Sequence, residues 1–460
     1  MEQNSKRTIN MLEGSLWDKI LRYAFPLAAT GILQQLFNAA DIAVVGRFTK
    51  EQGAIAMAAV GANSPLIGLV LNIFIGISLG TNVIIANSVG SRDEKSIRKA
   101  AHTSIVFALI AGVILAILAE ILASVILRSQ NIPDEVLPMA VLYFRVYMFG
   151  TPVIILYNFI SAVFRGLGNT RTPLIVLVFS GLLNVVLNLF FVIVLHRTVE
   201  GVAAATVISN AVSCVILMLN LNREDSPVRL RKSELRIDGR ILRRILRIGI
   251  PAGIQSSVFG FANILIQSAI NSLGTIVMAA SSAAFNIEIF VYNVFNSFSQ
   301  ACTTFVGQNY GGGKIDRCRK VLILCLVEGA ICMGTAIGLV LLIGKQMIAV
   351  FNNNPDVIEV GYMRLLIIFT AYIFSLTYEV ISGYLRGFGV SVSPAILTMI
   401  GVCGVRVSWI YLVFPRYRTF RNIMLAYPLS LSTTAVLMVI ALLCIRPTRK
   451  KQQMIQESEL

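Results

Sequence analysis

The chain has 460 residues, of which 56% are hydrophobic and only 13% are Asp, Glu, Lys or Arg. Soluble domains carry about 25% of these charged residues, and a mean hydropathy of +0.77 leaves too little charged surface to cover a water-soluble globule of this size. The net charge of +16 comes from Lys and Arg in short stretches between apolar runs, a placement that indicates membrane topology and argues against a nucleic-acid partner.

Apolar runs of about 20 residues recur along the chain, and each is long enough to cross ~30 Å of hydrocarbon. They predict an all-α polytopic membrane protein with twelve transmembrane helices. In chain order the predicted spans are 20–45, 54–80, 98–126, 137–164, 173–195, 201–221, 246–272, 277–305, 318–343, 357–385, 394–414 and 422–445.

The charges between the spans predict the orientation and the domain limits. With the N-terminus inside, 28 of the 39 Lys and Arg residues lie on the cytoplasmic side and 8 lie outside, as the positive-inside rule requires. We therefore expect a bacterial inner-membrane protein with both termini cytoplasmic. The predicted parts are a cytoplasmic N-terminal segment (1–19), an N-lobe of helices 1–6 (20–221), a basic cytoplasmic linker (222–245), a C-lobe of helices 7–12 (246–445) and a cytoplasmic tail (446–460).

The two halves of the chain share a sequence pattern. An Arg-Gly-Leu-Gly motif at 165–168 with Pro173 after it returns 221 residues later as Arg-Gly-Phe-Gly at 386–389 with Pro394. Six spans per repeat bring both halves into the membrane from the same side, which predicts two six-helix bundles related by a parallel internal repeat. Such a pair of bundles is typical of transporters, whose substrate site lies near the middle of the membrane.

Each half also places a proline in its first span. Pro26 and Pro251 each remove one helix hydrogen bond and can kink the helix. The RGxG motifs are predicted to end helices, since glycine accepts the left-handed backbone of a helix C-terminus.

These motifs resemble the multidrug and toxin extrusion (MATE) transporters over about residues 20–446. The resemblance implies export of small, often cationic and amphipathic compounds, driven by inward H⁺ or Na⁺, with no cofactor. It rests on Pro26, on DIAVVGR at 41–47, on RGLGNTRTP at 165–173, on QNYG at 308–311 and on LRGFG at 385–389.

Asp41 is the strongest candidate for ion coupling, because an ionisable residue inside a span is costly and marks a functional site by default. It can carry a proton or, when ionised, hold Na⁺ together with neutral oxygen ligands; no other metal site is predicted. The resemblance implies that Asn184, Asn188 and Thr206 complete this N-lobe site, although many relatives have Asp at the position of Asn188. Hydrogen bonds that only join the helices are the alternative.

A second group of intramembrane charges lies in the C-lobe. Glu288, Glu379 and Arg406 are predicted to share a cavity of net charge about −1 that binds a cation or the substrate, with a structural ion pair as the alternative. Arg145 and Arg364 are repeat-related and are expected to snorkel to the outer surface. Glu120 and Glu328 are expected near span ends or lipid-facing turns. Further candidates for the substrate cavity are Gln34, Asn38, Asn158 and Tyr292.

The predicted function is a secondary active antiporter that exports drug-like or metabolite compounds by alternating access and works as a monomer in the lipid bilayer. One alternative is a flippase for lipid-linked saccharides, which would favour a strongly cationic cavity. Another is a polytopic membrane enzyme, but only two histidines occur and no hydrolase motif accompanies them.

Overall fold

The structure is a computed structural model that describes residues 8–49, 53–130, 132–222 and 228–447. Every regular element within these ranges is a helix. Parts of the predicted N-terminal segment (1–7), linker (223–227) and tail (448–460) lie outside the described residues.

The described residues of the first half of the chain form seven α-helices. The sixth continues into a π-helical segment, Phe190–Val194, which widens the helix near its end. The helices are α1 Trp17–Phe48, α2 Gly53–Gly90, α3 Glu94–Ser129, α4 Leu137–Phe149, α5 Thr151–Gly166, α6 Arg171–Leu189 and α7 Val199–Leu221.

The second half repeats this order after a short 3₁₀ turn, Lys232–Glu234. The eleventh span of the chain alternates between α and π geometry. Its π segments Met399–Gly404 and Trp409–Val413 lie on either side of a four-residue α-helix. The helices are α8 Gly239–Asn271, α9 Thr275–Gly311, α10 Ile315–Phe351, α11 Pro355–Thr370, α12 Tyr372–Gly387, α13 Val392–Thr398, α14 Val405–Ser408 and α15 Phe420–Ile445.

Among the described residues, ten helical stretches are long and apolar enough to cross a membrane, and the number reaches twelve when each of two bent helix pairs forms one span. The predicted number of spans is therefore confirmed. Large aliphatic side chains point away from the protein on the outer helices: Ile121 is 68% exposed and Leu342 is 77% exposed. In a bilayer these side chains face lipid.

Two of the spans, predicted as the continuous runs 137–164 and 357–385, are each a pair of helices with a bend between them. The fourth span breaks between α4 and α5 with a bend of 48°, and the tenth breaks between α11 and α12 with a bend of 47°. Pro152 follows the first break at the start of α5, where a proline loses no helix hydrogen bond. The second break, at Ala371, lies 221 residues after Gly150 and carries no proline. The bend is thus a property of the repeat, and the sequence signals it in only one half.

The chain divides into two compact units. One contains residues 29–89 and 93–249, and the other contains 10–28 and the residues from 250 onward. The divisions fall within α1, just after Pro26, and within α8, just before Pro251. Because a proline interrupts the helix hydrogen bonds, the two parts of each helix can pack with different neighbours. The functional lobes 20–221 and 246–445 stay a prediction.

Both RGxG motifs end helices as predicted. Gly168 and Gly389 have φ values of 88° and 83°, a backbone region that favours glycine. The amide of Gly168 donates to the carbonyl of Arg165 at 2.9 Å, and the amide of Gly389 donates to that of Arg386 at 2.8 Å. The repeat therefore conserves a helix cap as well as a sequence pattern.

The linker after residue 228 is held against the start of α3. His102, only 1% exposed, uses both ring nitrogens: Nδ1 lies 2.8 Å from the carbonyl of Arg98, and Nε2 lies 3.1 Å from the amide of Arg231. Asp238 pairs with Lys99 at 2.9 Å. Polar groups at the start of α3 thus fix the path into α8.

Candidate functional site

Four polar side chains form a closed ring of hydrogen bonds within the first unit. Asn188 donates from Nδ2 to Asp41 Oδ1 at 2.5 Å and to Asn184 Oδ1 at 3.2 Å. Asn184 in turn donates to Thr206 Oγ1 at 3.3 Å. The Thr206 hydroxyl closes the ring at 3.3 Å from Asp41 Oδ2, and it also lies 3.1 Å from the carbonyl of Val202. The structure therefore brings together all four residues expected at the N-lobe site.

Close packing of α1 against α6 makes this ring possible. Gly181 lies one turn before Asn184, and a Cβ at this glycine would come within 2.0 Å of the Phe37 ring. Phe37 is one turn before Asp41 on α1, so the glycine lets the aspartate approach the amides. The i,i+4 spacing of Asn184 and Asn188 places both amides on one face of α6.

The ring leaves acceptor capacity unused. Asn188 is fully buried, yet its Oδ1 has no hydrogen-bond partner among the described residues. Asp41 has no Lys, Arg or His within ion-pair distance in the described part of the chain. A carboxylate with neutral donors and a spare amide oxygen can take up one proton or one hard monovalent cation, since such cations prefer oxygen ligands.

The remaining N-lobe candidates do not join the ring. Gln34 and Asn38 lie exposed on α1. Asn158 is half-buried on α5 and donates to the carbonyl of Ile154 at 2.9 Å. Tyr143 and Tyr147 on α4 lie close enough to Asp41 to interact with its charge. The sequence did not point to these two tyrosines, because aromatic residues in apolar spans are commonplace.

The three charged C-lobe candidates have different partners. Glu288 on α9 is held by Arg364 of α11, which donates from Nε to Oε1 at 2.5 Å and from Nη2 to Oε2 at 3.0 Å. Arg364 also donates from Nη1 to Ser281 at 2.5 Å. The expectation that Arg364 snorkels to the surface was wrong: it is 1% exposed, because the carboxylate of Glu288 offsets the cost of burying its charge.

Arg406 does not pair with either glutamate. Its guanidinium donates from Nε to Ser430 at 3.1 Å and from Nη1 to Asn263 at 2.7 Å, and it lies over the ring of Tyr427 at 4.3 Å. Arg364 lies on the same Tyr427 ring at 5.6 Å. The two arginines thus share an aromatic neighbour, but only Arg364 has a carboxylate.

Glu379 on α12 is buried with Arg386 as its charged neighbour. Arg386 donates to Gln255 at 3.3 Å and to Ser382 at 2.6 Å. Tyr292 stacks edge-on against Phe295 and accepts a hydrogen bond from Asn296 at 3.2 Å. No hydrogen bond or ion pair joins Glu288, Glu379 and Arg406 in the described part of the chain, so a shared cavity stays a prediction.

The other two intramembrane carboxylates differ: Glu120 is exposed, as expected for a lipid-facing position, whereas Glu328 is buried. Glu120 pairs with Arg145 at 3.1 Å on the outer face of the helices. Glu328, expected at a span end or a lipid-facing turn, is 1% exposed, and neither of its side-chain oxygens has a hydrogen-bond partner in the part of the chain that the structure describes. Within the described ranges, no group of three or more His, Cys, Asp or Glu residues could hold a metal ion.

Comparison with known proteins identifies the family. The MatE family model matches residues 26–190 and 251–412, well over half of the chain. The "Probable multidrug resistance protein YoeA" of Bacillus subtilis is 26% identical over 400 residues, which cover 85% of this chain and 86% of that protein. The "Probable multidrug resistance protein NorM" of Thermotoga maritima is 28% identical over 397 residues, covering 84% of this chain and 83% of that protein.

Solved structures agree in fold. An outward-facing conformation of a multidrug resistance MATE family transporter of the MOP superfamily superposes with a TM-score of 0.88 at 22% identity, covering 96% of this chain and 98% of that chain. A MATE crystal structure in complex with MaD3S gives a TM-score of 0.87, also at 22% identity, with the same coverage. The chain therefore belongs to the MatE family of multidrug and toxin extrusion proteins, and it is a transporter rather than an enzyme.

Proposed function

We propose that this chain is an antiporter that exports small cationic or amphipathic organic compounds in exchange for inward H⁺ or Na⁺. The observation that carries the proposal is the ring of Asp41, Asn188, Asn184 and Thr206. Its single carboxylate lies within the spans and has only neutral donors, so one bound cation changes the charge of the site from −1 to zero. The names of the multidrug resistance relatives support the substrate class.

The energetics suit this role. One charge that crosses 100 mV releases about 2.3 kcal/mol, and one pH unit adds about 1.4 kcal/mol. One coupled H⁺ can therefore sustain a gradient of roughly several hundredfold for a neutral compound. Exchange of one H⁺ for one monovalent cation is electroneutral and uses the pH term alone.

The same proposal includes the cellular setting. We place the chain in the inner membrane of a bacterium with both termini cytoplasmic, since the Lys and Arg bias favours this orientation. A single chain contains both repeats, which supports function as a monomer. Glu379 is the second candidate for coupling, because it is a buried carboxylate with no ion-pair partner within 4 Å among the described residues.

Gradient-driven counter-flow in proteoliposomes tests the proposal. Vesicles loaded with ethidium receive an imposed pH or Na⁺ gradient, and wild type is compared with Asp41→Asn, Glu379→Gln and, as a control at an exposed carboxylate, Glu120→Gln. We expect Asp41→Asn to abolish driven transport and Glu120→Gln to retain it. Loss in Glu379→Gln alone would move coupling to the second lobe, and flux that neither variant changes would refute a role for these carboxylates.

A further inference from the structure

Arg406 carries a buried positive charge that no carboxylate of the described residues neutralises. It is 1% exposed, and both of its hydrogen-bond acceptors, Ser430 and Asn263, are neutral. Glu288 is already engaged by two donors of Arg364. Buried charges in proteins are normally paired, so an uncompensated guanidinium in a span needs an explanation.

The guanidinium also has donors to spare. Only Nε and Nη1 donate to protein acceptors, and Nη2 has no acceptor among the described residues. The rings of Tyr427 and Phe259 lie 4.3 Å and 5.1 Å from its central carbon. These rings stabilise the cation by their π faces without neutralising its charge, and they add an apolar wall beside the free donor.

The backbone around Arg406 is irregular. Its helix, α14, has four residues and lies between two π-helical segments, and π segments inside α-helices are frequent at functional sites. A Cβ at Gly401 would come within 2.2 Å of Thr434 Oγ1. This glycine therefore lets the first π segment approach α15, which carries Ser430.

The Arg406 cluster uses the repeat-related counterparts of the helices that form the Asp41 ring. The ring draws on α1, α6 and α7, and the Arg406 cluster draws on α8, α14 and α15. Pro26 and Pro251 are 225 residues apart, and the same spacing relates Asn38 to Asn263. The two halves thus hold polar clusters at related places, with a carboxylate at the centre of one and a guanidinium at the centre of the other.

We propose that Arg406 binds the carboxylate of a transported compound, with Tyr427 and Phe259 against the apolar body next to it. Guanidinium groups suit carboxylates because their planar donors match the two oxygens. Access to the buried donor requires the alternating opening of the transport cycle, so this inference rests on the proposed function. It extends the substrate class from cations to amphipathic compounds that also carry a carboxylate.

A matched pair of dyes tests the proposal. Rhodamine 110 has a free carboxylate, and rhodamine 123 is its methyl ester. Binding of each dye to the purified full chain is measured by fluorescence polarisation for wild type, Arg406→Gln, Arg406→Met and Arg145→Gln. The last variant removes the same charge from an exposed ion pair in another span. The quantity compared is the ratio of the two dissociation constants.

We expect wild type and Arg145→Gln to bind the acid at least about tenfold more tightly than the ester, as one charge-assisted hydrogen bond allows. Both Arg406 variants should lose this preference. Arg406→Met is included because its apolar side chain suits a buried position. It can therefore be measured if Arg406→Gln does not fold. A wild type without preference, or a folded Arg406 variant that keeps it, would overturn the proposal. Failure of wild type to move either dye across proteoliposomes would instead reject the proposed transport function.

Discussion

At the residue scale, two buried arginines differ in how their charge is balanced. Arg364 makes two hydrogen bonds to Glu288, and the pair is almost fully buried. Arg406 has neutral acceptors and aromatic rings only. The Glu288–Arg364 pair neutralises its own charges and serves a structural role. The charge of Arg406 is left for a ligand to neutralise.

Substitution of one member of the Glu288–Arg364 pair should destabilise the protein more than substitution of both. Removing one partner leaves an uncompensated buried charge, so Glu288→Met or Arg364→Met should each lower the free energy of unfolding by about 3–5 kcal/mol. The double variant should regain most of this loss, because apolar side chains then replace both charges.

Thermal unfolding of the purified protein in detergent measures this cycle. Arg145→Met, at an exposed pair with Glu120, is the control and should change stability by about 1 kcal/mol or less. Equal destabilisation by the single and double variants would contradict a structural role for the pair.

At the element scale, the sequence predicted the positions of the spans better than their shape. The length of an apolar run predicts a span, and an RGxG motif, whose last glycine is left-handed, predicts its end. The bends at Gly150 and Ala371 and the π segments in the fifth and eleventh spans depend on packing against neighbouring helices. Residue spacing alone does not encode such packing.

The prediction of the site residues was limited in the same way, because residue spacing does not encode the packing between helices. The resemblance to the MATE family predicts the site of Asp41, Asn184, Asn188 and Thr206. The i,i+4 spacing predicts that the two asparagines share one face of α6. The partner of Glu288 was missed, since an arginine in a span can either snorkel or pair. Only the contact between α9 and α11 decides between these outcomes.

Gly181 should control the distance between α1 and α6. In Gly181→Ala the new Cβ would overlap the Phe37 ring, so α1 must shift and carry Asp41 away from Asn188. We expect gradient-driven ethidium transport to fall about tenfold, the effect of losing about 1.4 kcal/mol of hydrogen bonding. Gly68→Ala, where nothing lies within 4 Å of the added Cβ, should transport like wild type. Equal rates in both variants would contradict the packing argument.

The stability that the linker gains from its contact with α3 should depend on pH through the ionisation of Asp238. The hydrogen bond from Lys99, with smaller help from the amide of Ile241, holds the pKa of the Asp238 carboxyl below its usual value. Its ionised form therefore stabilises the fold above the unfolded-state pKa of about 3.9, and this contribution disappears as pH falls through the lower folded-state pKa.

Asp238→Asn keeps an acceptor for the start of α8 and removes the charge. We expect a loss of about 1 kcal/mol or less at pH 7, because Lys99 is 42% exposed and solvent screens the pair. The difference in melting temperature from wild type should shrink as pH falls below the unfolded-state pKa of about 3.9. In a Lys99→Met background the substitution should have little effect at pH 7, and an undiminished effect there would show that the pair is not its cause.

At the scale of the whole molecule, the internal repeat relates two polar clusters of opposite charge. Each compact unit contains one of them. The proposed antiport assigns the ion to Asp41, and the further inference assigns an anionic substrate group to Arg406. In antiport, ion and substrate must reduce each other's affinity, and this coupling is reciprocal.

Displacement of the coupling ion by the substrate tests the account most directly. Ethidium is added to the purified protein in weakly buffered, Na⁺-free solution with a pH indicator, and in parallel to protein equilibrated with radioactive Na⁺. Wild type and the exposed-carboxylate control Glu120→Gln should each release about one H⁺ or one Na⁺ per chain, as reciprocal coupling requires, and Asp41→Asn should release none. Release of the same amount of ion by Asp41→Asn would contradict the assignment of the coupling ion to the Asp41 ring.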